Sequence, residues 1–142
     1  MRCAIGADDA GPLTEALLAD LDRRGIAAER FGALAAPARG EWASIGRAVG
    51  DAVAAGRADV GIVCCWTGTG ISIAANKVRG VRAALCADAE TAAGARRWND
   101  ANVLALSLRA TSPAVGLEIL AAFLTSQASA DSADRRSIET LE

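Results

Sequence analysis

Val60-Gly61-Ile62-Val63-Cys64-Cys65-Trp66-Thr67-Gly68-Thr69-Gly70-Ile71-Ser72-Ile73-Ala74-Ala75-Asn76-Lys77 decides the reading of this chain. An unbroken apolar run ends at a thiol, a Gly-x-Gly turn follows, and small and apolar residues then take up a helical spacing that predicts a helix from near Ser72. An apolar run without polar alternation is how a strand covered on both faces reads. Glycines let backbone approach a ligand closely, and free amides at a helix start can hold an anion. A thiol facing those amides is a candidate base or nucleophile. The same residues also fit a tight strand-to-helix turn beside a core cysteine.

The flanks repeat the alternation. Cys3 to Ile5, Val81 to Cys86 and Asn102 to Leu106 are further buried-strand runs, and Ile26 to Phe31, broken by Glu29 and Arg30, reads as a strand nearer an edge. Between them, Pro12 to Arg24 sets Leu13, Ala16, Leu17 and Leu21 on one helical face, with Pro12 suited to a first position and Gly25 to a stop. Trp42 to Ala55 does the same through Ile45, Ala48, Val49 and Val53. Asp88 is placed to cap a helix running to Arg97, and Ser112 to cap one through Phe123. Strands alternating with helices predict an α/β fold, a parallel sheet covered on both faces. Ligands in such folds bind beyond the strands' carboxyl ends, which here means Gly6 to Gly11, Cys65 to Gly70, Ala87 to Asp88 and Ser107 to Arg109.

Composition narrows the chemistry. With 142 residues the chain is the size of one domain. It has no histidine, which removes the usual proton carrier near neutral pH and any imidazole-ligated metal site. No cofactor is expected. The 15 basic and 17 acidic residues are interspersed, so no basic stripe awaits a nucleic acid. No apolar run has the length of a membrane span, and the start enters strand-like sequence directly, so a soluble, cytoplasmic protein is expected. The four cysteines form no C-x-x-C pair. Cys3, Cys64 and Cys86 read as packing residues. From residue 127 onward Ser, Ala, Asp and Arg dominate; the composition favours a disordered tail over a docked arm.

Gly61 to Lys77, Gly80-Val81-Arg82-Ala83-Ala84-Leu85-Cys86, Asn99-Asp100-Ala101-Asn102-Val103-Leu104 and the opening Ile5-Gly6-Ala7-Asp8-Asp9-Ala10-Gly11 together resemble the ribose-5-phosphate isomerase B and galactose-6-phosphate isomerase family. The likeness runs over residues 1–126, with 127–142 as an arm or tail of the same domain. It implies a Rossmann-like three-layer αβα sandwich on a five-stranded parallel sheet, a homodimer or homotetramer with the site shared between subunits, and cofactor-free aldose–ketose isomerisation of a sugar phosphate through an enediolate. Cys65 matches the family's cysteine base, and Ile71 stands where another branch carries a glutamate base. Thr67 and the amides of Gly68 to Gly70 match the loop that stabilises the enediolate oxygens. Asp8 matches a ligand of sugar hydroxyls, although the role of an N-cap or turn carboxylate before the helix at Pro12 is open to it. Asn99 matches a pocket residue. Arg109 and Arg136 match phosphate-binding arginines, the latter from a partner subunit, while a solvated charge is the alternative for both.

The departures from the family cluster at the same place. Asp9 replaces a histidine and Trp98 replaces the histidine that opens the furanose ring. Trp66 replaces a small residue beside the base, Ser132 replaces one tail arginine, and Gly40-Glu41-Trp42-Ala43 replaces an Asp-Tyr-Pro-Asp stretch. Indole can neither take nor give a proton at neutral pH. A second carboxylate facing a phosphate costs about 1 to 4 kcal/mol at contact. Trp66 and Trp98 read either as pocket walls or as core filling. An isomerase turned toward acyclic or short-chain sugar phosphates is therefore expected, with a catalytically silent, metabolite-binding family member as the alternative.

Overall fold

The computed structural model describes residues 1–35 and 40–142. Five strands, β1 (Arg2–Ala7), β2 (Ala27–Gly32), β3 (Val60–Cys65), β4 (Ala83–Leu85) and β5 (Val103–Ser107), form one sheet in the order β2-β1-β3-β5-β4. Every pairing is parallel. The helices are α1 (Pro12–Arg23), α2 (Trp42–Ala54), α3 (Thr69–Asn76), α4 (Ala89–Asn99), α5 (Pro113–Thr125) and α6 (Ser132–Glu139). The fold is the expected Rossmann-like α/β sandwich, with the polar-interrupted β2 at an edge.

Strand periodicity sorts side chains between two cores. Cys3, Ile5, Ile62, Cys64, Leu104 and Leu106 point to one face and pack with Leu17 and Leu21 of α1, Ala92 of α4, and Ile119, Leu120 and Phe123 of α5. Ala4, Val63, Cys65, Val103 and Ala105 point to the other, under Ile45 and Val49 of α2 and Ile71 and Ala75 of α3. Adjacent residues on a strand face opposite ways, so Cys64 enters the first core while Cys65 ends the strand on the α2/α3 side.

Small residues set how deeply α2 sits. A Cβ on Gly6 would lie 2.6 Å from Ile45 Cγ2 and 3.0 Å from Val49 Cγ2. One on Gly46 would lie 2.7 Å from the Ile71 carbonyl oxygen of α3. The helix therefore seats against both sheet and α3, which carries Trp42 at its first position over the carboxyl ends of the strands.

Three expectations are corrected. The helix after the Gly-x-Gly turn starts at Thr69, not near Ser72, because Gly68 adopts φ +78° and serves as its N-cap. The helix from Asp88 runs to Asn99 rather than Arg97, ended by the left-handed Asp100, so Trp98 and Asn99 are helical. The tail is not without structure: α6 lies against α4, the Ser129 amide donates to the Arg97 carbonyl at 2.7 Å, and Glu142 pairs with Arg82. Local composition underrated that tail because its partners are distant in sequence. Among the described residues no helix is long and apolar enough to cross a membrane.

Gly6→Ala forces a methyl into a closed contact. It should lower unfolding stability by about 1 to 3 kcal/mol, read as a lower urea midpoint with an unchanged slope.

Candidate active site

The loop after β3 is pinned from β5. The Leu108 amide donates to the Cys65 carbonyl at 2.9 Å, and the Arg109 amide donates to the Trp66 carbonyl at 3.0 Å. Ser107 Oγ donates to that same Trp66 oxygen at 2.9 Å and accepts from the Ala110 amide at 3.0 Å. On the other side the Asp8 amide reaches the Cys64 carbonyl at 3.4 Å. Three loops, after β1, β3 and β5, are thus joined at one end of the sheet.

Gly68 then turns the chain. Its positive φ suits glycine, and a Cβ there would meet the Leu106 backbone at 2.9 Å, so both conformation and space exclude a side chain. The turn starts α3 directly, and the amides of Gly68, Thr69, Gly70 and Ile71 have no partner within the helix. Thr67 Oγ1 and Thr69 Oγ1 are 2.8 Å apart, one hydroxyl donating to the other. The Trp42 ring lies across Gly70, where a Cβ would be 3.0 to 3.2 Å from three of its carbons.

These residues form an open cavity of about 300 Å³ lined by Asp8, Trp42, Cys65, Trp66, Thr67, Thr69 and Gly70. Cys65 is 5% exposed and forms part of that wall. Burial raises the Asp8 carboxyl above the ordinary carboxylate range, opposed by the amides of Asp8 and Asp9, and the Asp9 charge raises it further. Its alternative as a helix cap does not hold, since Gly11 is the N-cap of α1, with Thr14 Oγ1 bonded back to it. Burial pushes the Cys3 and Cys64 thiols up to about 12 and that of Cys86 up to about 11. A buried thiol facing unpaired amides, a hydroxyl pair and a carboxyl can move a proton on carbon while an oxyanion is held beside it.

The remaining predicted site residues fall outside this cavity in one protomer. Asp9 lines a smaller cavity of about 180 Å³ with Leu13, Trp66 and Leu108, and its carboxylate accepts from the Ala10 amide. Arg109 lines a third cavity, about 450 Å³, which adjoins the first at Thr67. Among the described residues it makes no ion pair. Trp98 and Asn99 line a groove on α4 with Asp88, Thr91 and Gly94. Arg136 is exposed on α6 and lines none of these cavities. Neither tryptophan fills the core: Trp66 is 64% and Trp98 54% exposed. Trp42 and Thr69 complete the cavity. For Thr69 the sequence assigned a role to the amide but none to the hydroxyl, whose signal was its place two residues after Thr67. Trp42 was marked only as part of a stretch that departs from the family, because its contact with Gly70 depends on how deeply α2 seats.

Two measurements check these environments. Iodoacetamide at pH 8 on the folded protein should label Cys65 before the other three thiols, read by peptide mass. Asp9→Asn should lower the Asp8 pKa, followed by carboxyl-carbon NMR, because it removes a like charge.

The Ribose/Galactose Isomerase family model matches residues 3–141. Ribose-5-phosphate isomerase B of Escherichia coli is 40% identical over 119 residues, covering 83% of this chain and 76% of that protein. A D-erythrulose-4-phosphate isomerase of Pectobacterium atrosepticum is 34% identical over 128 residues, covering 89% and 84%. The structure of Clostridium thermocellum ribose-5-phosphate isomerase B superposes with a TM-score of 0.91 at 35% identity, over 99% of this chain and 95% of that one. The chain spans about half the length of other curated relatives, 50% of a galactose-6-phosphate isomerase subunit LacB of Clostridium acetobutylicum and 53% of a putative sugar phosphate isomerase of Bacillus subtilis. On the family match and these alignments, the chain belongs to the Ribose/Galactose Isomerase family.

Proposed function

We propose that this chain is a cofactor-independent aldose–ketose isomerase acting on an acyclic or short-chain sugar phosphate. The observation that carries the reading is the Cys65 thiol in the wall of a cavity formed at the unpaired amides of α3. Cys65, as thiolate, takes the proton from the carbon beside the substrate carbonyl; the C–H electron pair becomes the C=C bond of an enediolate. The thiol proton exchanges with solvent and a proton is delivered from the thiol to the neighbouring carbon, while a hydroxyl proton passes between the two oxygens. Thr67 and the amides of Gly68 to Gly70 hold the developing negative charge. Asp8 accepts from substrate hydroxyls, and Arg109, across Thr67, takes the phosphate.

The substrate class follows from what the chain lacks. Opening a furanose needs a group that exchanges a proton near neutral pH, and the sequence contains no histidine. The matched Pectobacterium relative is named for a four-carbon ketose phosphate, which cannot close into the furanose phosphate that a pentose forms. Trp98, Asn99 and Arg136 lie away from Cys65 within one protomer, so any share in the site comes from a second copy in a homodimer or homotetramer. The silent, binding-only alternative rests on the same missing histidines.

The test is proton exchange. In deuterated water, erythrulose 4-phosphate should take up deuterium beside its carbonyl, and Cys65→Ala should slow uptake by about 10²- to 10⁴-fold. Undiminished exchange in that variant contradicts the thiolate base. Absence of exchange with any four- or five-carbon sugar phosphate supports the binding-only reading.

A further inference from the structure

Trp66 lines two cavities, that of Cys65, Asp8 and Thr67 and the smaller one of Asp9, Leu13 and Leu108. Its backbone is held while its side chain is largely exposed: the carbonyl receives both Ser107 Oγ and the Arg109 amide. That clamp fixes the peptide from which the indole projects. The Trp42 ring, resting on Gly70, lines the same cavity as Trp66.

We infer that Trp66 sets the length of sugar phosphate the site accepts, by closing the cavity toward the β1–α1 loop and screening Asp9 from the substrate. This rests on the isomerase reading and names the side chain that selects within it. With the reacting carbons between Cys65 and the first turn of α3, hydroxyls at Asp8 and the phosphate at Arg109, a further CHOH unit lies between two held ends and bows the chain past Asp8 toward the indole. The space that would receive that unit lies behind the ring, beside a carboxylate. Removing the indole joins the two cavities and admits the longer chain. It also brings Asp9 into reach of a hydroxyl, where a carboxylate is a good acceptor. The partition accounts as well for an acidic residue at position 9 being tolerated next to a phosphate-binding site.

The test compares four- and five-carbon ligands that are open-chain in solution, so that ring opening plays no part. Binding of 4-phosphoerythronate and 5-phosphoribonate to the full chain is measured by calorimetry for the wild type, Trp66→Phe and Trp66→Ala. Turnover of erythrulose 4-phosphate and ribulose 5-phosphate is measured in parallel. Wild type and Trp66→Phe should prefer the four-carbon ligand. Trp66→Ala should shift the preference toward the five-carbon ligand on the order of tenfold, the lower end of what one carbon unit contributes to discrimination in a pocket. A preference unchanged in Trp66→Ala overturns the inference. No turnover of either ketose by the wild type contradicts the isomerase reading alone, since the calorimetric ratio still judges the partition.

Discussion

The site depends on how the Cys65–Trp66 peptide is held. β3 is paired on both sides, by β1 and β5, and is buried along its whole length, so its end has no freedom to shift. Beyond the last ladder position, three donors from the β5 loop capture the two carbonyls of Cys65 and Trp66. The chain can then turn only through Gly68, whose left-handed conformation starts α3 with its free amides beside the thiol. Thiol, amides and hydroxyls are thereby fixed relative to each other by backbone geometry. Such placement is the preorganisation that a reaction passing through an oxyanion needs.

The same geometry separates neighbouring cysteines into different roles. Cys64 faces the core beneath α1 and α5, where burial keeps it a thiol, and the charges of Cys65 and Asp8 reinforce that. Cys65, one residue on, faces α2 and α3 at the sheet's end and meets the cavity. Period-two alternation and the place where the ladder ends make this division, without any difference in residue type.

Much of this was legible in the sequence. The apolar runs marked all five strands because strands covered on both faces show few polar interruptions, and Glu29 and Arg30 marked β2 as the edge. The glycines around Thr69 and the thiol before them located the turn. The residues that escaped are those placed by tertiary contact. Trp42 reaches the cavity because Gly6 and Gly46 let α2 approach, a fact distributed over three elements. Asp9 lines, with Trp66, a cavity other than that of Cys65. The tail's helix depends on α4 and on Arg82, far away in sequence. Trp98 and Asn99 sit on a groove of their own, which motif matching alone cannot distinguish from the cavity itself.

The account reduces to one claim: the cavity at the end of β3 stabilises an enediolate with Cys65 facing the reacting carbon. A crystal structure with 4-phosphoerythronohydroxamate, whose planar head mimics that intermediate, tests it most directly. The account predicts the two hydroxamate oxygens bonded to Thr67 and to first-turn amides of α3, with Cys65 Sγ facing the planar carbon. A head group seated elsewhere, or bound in the cavity with Cys65 turned into the core, would contradict it.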